Sequence, residues 1–181
     1  MKKLLVLVFA LGIFGTAQAQ FGVRAGFNSA NFSDFESDPF AGFHAGAYYK
    51  KDLGFISLEP GIQYSQKGHE RTGATLVKND RLNYVDVPVL VRVNFLPFLN
   101  VFAGPQGSVL VSRKLEYVDG STETTTEPIK GYDIAAVVGV GANLPLGLNA
   151  QVSYDIGLQS ANYYNQDVKN NTLKISLGYD F

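Results

Sequence analysis

Cysteine is absent from all 181 residues. That excludes a disulfide framework, a thiolate metal site and a lipid-attachment cysteine behind a leader. Histidine occurs only as His44 and His69, without H-x-x-x-H spacing, so the chain carries no metal-ligand pattern and no cofactor is expected. The formal net charge is −1 and no basic stripe appears, which argues against a nucleic-acid partner. Beyond Phe14 no segment approaches the roughly 18 uninterrupted apolar residues of a spanning helix. A closed β-barrel crosses a bilayer without one, because it also satisfies every backbone polar group internally.

What is present begins with a leader. Met1-Lys2-Lys3 precedes an apolar core from Leu4 to Phe14, too short to span, and Thr16-Ala17-Gln18-Ala19 puts small residues at both positions of an A-x-A site. This predicts a signal peptide over 1–19, cleaved after Ala19, and one exported domain over 20–181.

The domain is organised around its last stretch. Leu173, Ile175, Leu177, Tyr179 and Phe181 alternate without a break with Thr172, Lys174, Ser176, Gly178 and Asp180. That is a strand with one apolar and one small or charged face. The same period recurs through Phe21–Asn28, Phe43–Lys50, Ile56–Ser65, Tyr84–Asn94, Leu99–Val111, Asp133–Leu144 and Leu148–Leu158. Lys51–Gly54, Leu96–Phe98 and Pro145–Gly147 are short turns, whereas 29–39, 66–81 and 113–130 are long polar connections. Long and short links alternate, which predicts an all-β fold: an eight-stranded antiparallel up-and-down transmembrane β-barrel, short turns at one rim and long loops at the other.

Alternation leaves two orientations open, an outward apolar face or the inward one of a soluble lipocalin-like barrel. The outward choice fits better. The polar face mixes glycine and serine with Arg24, His44, Lys50, Glu59, Asp86, Arg92, Asp133, Asp155, Lys174 and Asp180, a composition suited to a narrow, plugged lumen with internal ion pairs. Phe21, Phe27, Phe43, Tyr49, Tyr64, Phe95, Tyr179 and Phe181 sit near strand ends on the apolar face, where interfacial girdles belong. Turning the fourth strand over would aim Arg92 at lipid, at about 2–4 kcal/mol for a midplane arginine. Pro60, Pro88 and Pro105 lie inside neighbouring strands, predicting bulges or local breaks in pairing.

Candidate chemistry is sparse. His44 reads as a packed lumen histidine. His69, beside Glu70 and Arg71 at the start of the second long connection, is the residue to test for a catalytic role. The third connection is more suggestive. Leu115, Tyr117 and Val118 extend a strand beyond the bilayer, Asp119-Gly120-Ser121 is a turn signal, and Thr122 to Thr126 is β-prone and acidic. Tyr117, Val118, Asp119, Gly120, Thr122 and Thr124 are therefore expected to form a protruding hairpin with an edge open to β-augmentation by a protein partner. Tyr179 and Phe181 close the chain as the expected assembly signal for barrel-assembly machinery.

Several segments resemble the PorT-like outer-membrane β-barrel family of Bacteroidota. They are Gly22-Val23-Arg24-Ala25-Gly26-Phe27-Asn28, the run from Leu58 to Gly68, Val85-Asp86-Val87-Pro88-Val89-Leu90-Val91-Arg92, and Ala103-Gly104-Pro105. The resemblance covers nearly the whole mature chain and implies the barrel fold and the outer membrane. It brings no catalytic motif, and its founding member is linked to secretion. The resulting expectation is a monomeric, lipid-embedded, non-enzymatic barrel with a structural or interaction role in secretion or surface attachment. A barrel enzyme acting on lipid or peptide and a soluble periplasmic ligand-binding barrel remain the alternatives.

Overall fold

The computed structural model describes residues 19–33, 38–70, 77–117, 119–125, 132–158, 161–163 and 166–181. Residues 1–18 of the expected leader, Arg71, Val118 and most of the long-connection tips lie outside the described residues.

Among the described residues ten strands form: β1 (Ala19–Ser33), β2 (Asp38–Asp52), β3 (Ile56–Glu70), β4 (Val77–Leu96), β5 (Leu99–Tyr117), β6 (Thr122–Thr125), β7 (Tyr132–Asn143), β8 (Leu148–Gly157), β9 (Ala161–Tyr163) and β10 (Gln166–Asp180). Eight of them close an antiparallel barrel in the order β1-β2-β3-β4-β5-β7-β8-β10, and β10 pairs back to β1. The closing ladder runs unshifted from Gly22↔Asp180 to Ser33↔Lys169, and Phe181 N donates to Phe21 O at 2.8 Å. β6 and β9 are short additions hung on β5 and β10.

The faces follow the sequence period. Val87, Val89 and Val91 are exposed outward, while Asp86 and Arg92 are buried inward at 0% and 5% exposure. The outward band carries the expected aromatics. Phe21 meets Tyr49 edge-on at 5.2 Å, Tyr179 meets Phe181 at 5.1 Å, and Phe27 stands opposite Phe43 in the β1–β2 ladder. No helix among the described residues is long and apolar enough to cross a membrane, which has no bearing on a crossing made with strands.

The long connections depart from expectation. Much of 29–39 and 66–81, where the sequence pattern predicts loop, is strand: β1 runs to Ser33, β3 to Glu70, and β4 starts at Val77. His69 is thus a ladder residue, opposite Asp80 and Pro39, and not a loop residue. A bilayer needs about 9–11 residues per tilted strand. β4 has 20 and β5 has 19, whereas β7 has 12 and β8 has 10. The outer wall is therefore tall from β10 round to β5 and low at β7–β8.

The prolines break pairing without shifting register. Pairs flank a gap between Pro60↔Val89 and Gln63↔Asp86, and another between Pro88↔Gln106 and Val91↔Ala103. True shifts occur elsewhere, notably where Asn83↔Ser112 is followed by Tyr84↔Leu110, leaving Val111 as the extra residue. At the second gap the backbones come very close: a Cβ on Gly104 would lie 2.0 Å from Val89 O. Gly104→Ala is expected to destabilise the barrel by about 1–3 kcal/mol through overpacking, read as a lower unfolding midpoint of the heat-modifiable band on gels.

Candidate functional site

Inward side chains come from every second residue of each strand and stack into levels. At the short-turn end, Lys50 Nζ meets Asp180 Oδ2 at 2.7 Å, Tyr48 donates its hydroxyl to the same carboxylate, and Asn149 Nδ2 donates to Tyr48 at 2.7 Å. Above it Glu59 is gripped by two guanidiniums. Arg24 Nη1 lies at 2.8 Å, and Arg92 binds bidentately through Nε at 2.6 Å and Nη2 at 2.9 Å. Arg92 also reaches Asn100 and Gln151 and lies over the Phe102 ring at 4.3 Å. Such a fork fixes direction as well as charge.

A second ionic level lies further out. Asp86 stands between Lys67 and Lys174, each at 3.3 Å, and Lys174 reaches Asp155 at 2.6 Å. Gln63 and Gln106 donate to the two carboxylates. Asp133, half-buried on the same side, accepts from Ile134 N at 2.8 Å. All ten charged or titratable residues expected in the lumen thus face inward.

His44 sits between the levels. Asn28 Nδ2 donates to Ser65 Oγ and to the carbonyls of Phe43 and Gln66, so its Oδ1 is the acceptor turned to His44. The 2.6 Å contact then places the proton on His44 Nδ1, and Nε2 accepts from Ser176 Oγ at 2.8 Å. Serine, histidine and asparagine in this order have the geometry of a nucleophile, base and orienting group. Yet Ser176 is 2% exposed and His44 1%, which leaves a substrate no approach. The arrangement is chemically a sealed hydrogen-bond chain.

The outermost interior changes character. Leu82, Tyr84, Leu110 and Leu115 are buried there, and Lys67 lies 5.0 Å from the Tyr84 ring. The sequence pattern puts Tyr84 and Leu110 on strands but misses Leu82, Lys67, Arg113 and the inward turn of Leu115, because 66–81 and 113–130 have the composition of loops. A signal exists for Lys67: it keeps the parity of Glu59, Gln63 and Ser65. For Arg113 and Leu115 there is none, since the bulge at Val111 inverts parity.

Further out, β5 and β6 make a hairpin around the turn signal. Arg113↔Thr125 through Glu116↔Thr122 pair the two strands. Gly120 takes φ +84°, and Asp119 Oδ1 accepts from Ser121 N at 2.8 Å and Ser121 Oγ at 2.6 Å. Tyr117 donates its hydroxyl to Glu123 at 2.8 Å. Among the described residues β6 pairs with β5 alone, and Thr122, Glu123 and Thr124 are exposed. Tyr179 and Phe181 point outward at the short-turn end.

The sequence matches the outer membrane protein β-barrel domain family over residues 16–179. No curated protein matches it. Among solved structures the chain is similar to Neisserial surface protein A, at 11% identity and TM-score 0.61, covering 90% of this chain and 97% of that one. It is also similar to the attachment invasion locus protein Ail of Yersinia pestis, solved with the heparin analogue sucrose octasulfate, at 14% identity, TM-score 0.55 and coverage of 90% and 97%. A major outer membrane protein of Thermus thermophilus aligns at 14% identity and TM-score 0.56, covering 91% and 100%. At these identities the likeness concerns the fold.

The site itself makes two outcomes measurable. Asp86→Ala leaves Lys67 and Lys174 facing each other in the interior, and is expected to cost about 3–5 kcal/mol in denaturant unfolding. Both donors from Ser121 hold the Asp119 carboxyl below the usual carboxylate range. Because the folded value is depressed, the turn's stabilisation is complete above the ordinary aspartate pKa and is lost as pH falls through the folded one. The Ser121 amide resonance should therefore keep its position until pH drops below the ordinary aspartate range.

Proposed function

The chain belongs to the outer membrane protein β-barrel domain family, and from that premise we propose that it is a non-enzymatic surface barrel whose work is done by the sheet raised beyond the bilayer. The carrying observation is the hairpin of β5 and β6, with its turn, its exposed face and an edge that no other strand among the described residues shares. The edge suits an extended polypeptide added by main-chain pairing. Asp119 and Glu123 make the turn end of the hairpin acidic, beyond the exposed Lys114, so that end favours a basic segment over the kind of sulfated sugar analogue seen with Ail.

In this reading residues 1–19 are a cleaved signal peptide, both ends of the barrel face the periplasm, and the long strands face outward. The lumen is plugged by its ionic levels. The strand ending in Tyr179 and Phe181 is handed to barrel-assembly machinery, and the barrel is a monomer in lipid. The PorT-like resemblance makes an accessory role in secretion the process to examine, with surface attachment beside it.

Intact cells expressing the full chain should retain an extended basic peptide that cells expressing a chain lacking residues 118–127 do not. Equal retention by both would end the hairpin reading. In planar bilayers the purified barrel should show no conductance above background, and stepwise ion currents would remove the plugged lumen.

A further inference from the structure

The short-turn mouth holds two connected spaces. A vestibule of about 450 Å³ opens outward, in the size range of small-ligand sites. Sharing Lys50, Asn94 and Asn143 with it is an inner chamber of about 10 Å³, room for one water or one small ion. Three cations, Arg24, Lys50 and Arg92, line the chamber against two carboxylates, Glu59 and Asp180.

The carboxylates are already engaged. Glu59 accepts from Arg24 and twice from Arg92, and Asp180 accepts from Lys50, Tyr48 and Asn149. One donor is left over: Arg24 Nε is buried without a partner on a side chain only 9% exposed. An excess of positive charge among the chamber's own side chains and an unused N–H in a narrow, largely buried space favour an anion, because Coulomb attraction is less screened there than in water. At that size the chamber takes one water or one monatomic ion. We propose that this chamber binds one halide-sized anion entering from the vestibule. The competing occupant is a water joining Arg24 Nε to Asn149 Oδ1, the other unpartnered atom of the lining. Water satisfies both atoms, whereas the anion also adds negative charge beside the chamber's third cation; Asp52, the carboxylate of the vestibule, is engaged by Ser57.

The test uses the intact barrel in detergent. Chloride is titrated against methanesulfonate at constant ionic strength while the unfolding temperature is followed by heat-modifiable gel migration. Crystals are soaked in bromide for anomalous scattering. The expected result is a saturable rise in unfolding temperature with chloride and a bromide peak within contact distance of Arg24 Nε. Asn143→Asp, which sets a negative charge at the chamber's entrance, should raise the half-saturating chloride concentration at least tenfold with the barrel still folded. Arg24→Lys, which keeps the charge and removes the leftover donor, should act in the same direction; if it does not fold, Asn143→Asp decides alone. A linear, unsaturable salt response, water alone in the chamber, or an Asn143→Asp variant with unchanged chloride dependence would overturn the assignment.

Discussion

Inside hydrocarbon no water is available to a backbone amide, so each N–H and C=O in the span needs a protein partner. A strand meets that demand only with a neighbour on both edges, and a sheet only by closing on itself. The unshifted β1–β10 ladder supplies the closure, and other features follow from it. A closed sheet has one face in lipid and one in the lumen. With a side-chain period of two, the register of one strand then commits the next. The gaps around Pro60 and Pro88 are tolerable because pairing resumes in unchanged register on either side.

The interior bears the consequence. Turning Val87, Val89 and Val91 outward forces Asp86 and Arg92 inward, where unpaired charges would be costly. They occur in mixed clusters in which Glu59, Asp86, Asp155 and Asp180 are each engaged by at least two cations or amides, so desolvation is offset by pairing and hydrogen bonding together. Beyond the bilayer this demand lapses. There the walls formed by β4 and β5 enclose leucines, and the strands run on past the span.

The spans are legible in the sequence because lipid enforces contrast: apolar outside, polar inside, residue by residue. Above the bilayer that contrast fades. Gln66, Arg81 and Asn83 lie on outward positions of β3 and β4, and Leu82 and Leu115 on inward ones, so the pattern resembles a loop although the ladder continues. That is why 66–81 looks like a connection and His69 like a loop residue until the ladder is seen. The hairpin at Asp119–Ser121 is legible for a different reason, since its turn chemistry is local.

The residues by themselves settled what depends on period and composition: eight spanning strands, the outward apolar face, the charged lumen and the turn at Gly120. Only the tertiary structure decided which charges meet, which walls stand tall, and that an asparagine and a serine would flank His44. Asp86 joins Lys174 across 88 positions of chain, and His44 joins Ser176 across 132. Contacts of that kind depend on stagger and curvature around the closed sheet. Alternation along one strand carries no information about what stands opposite it across the lumen.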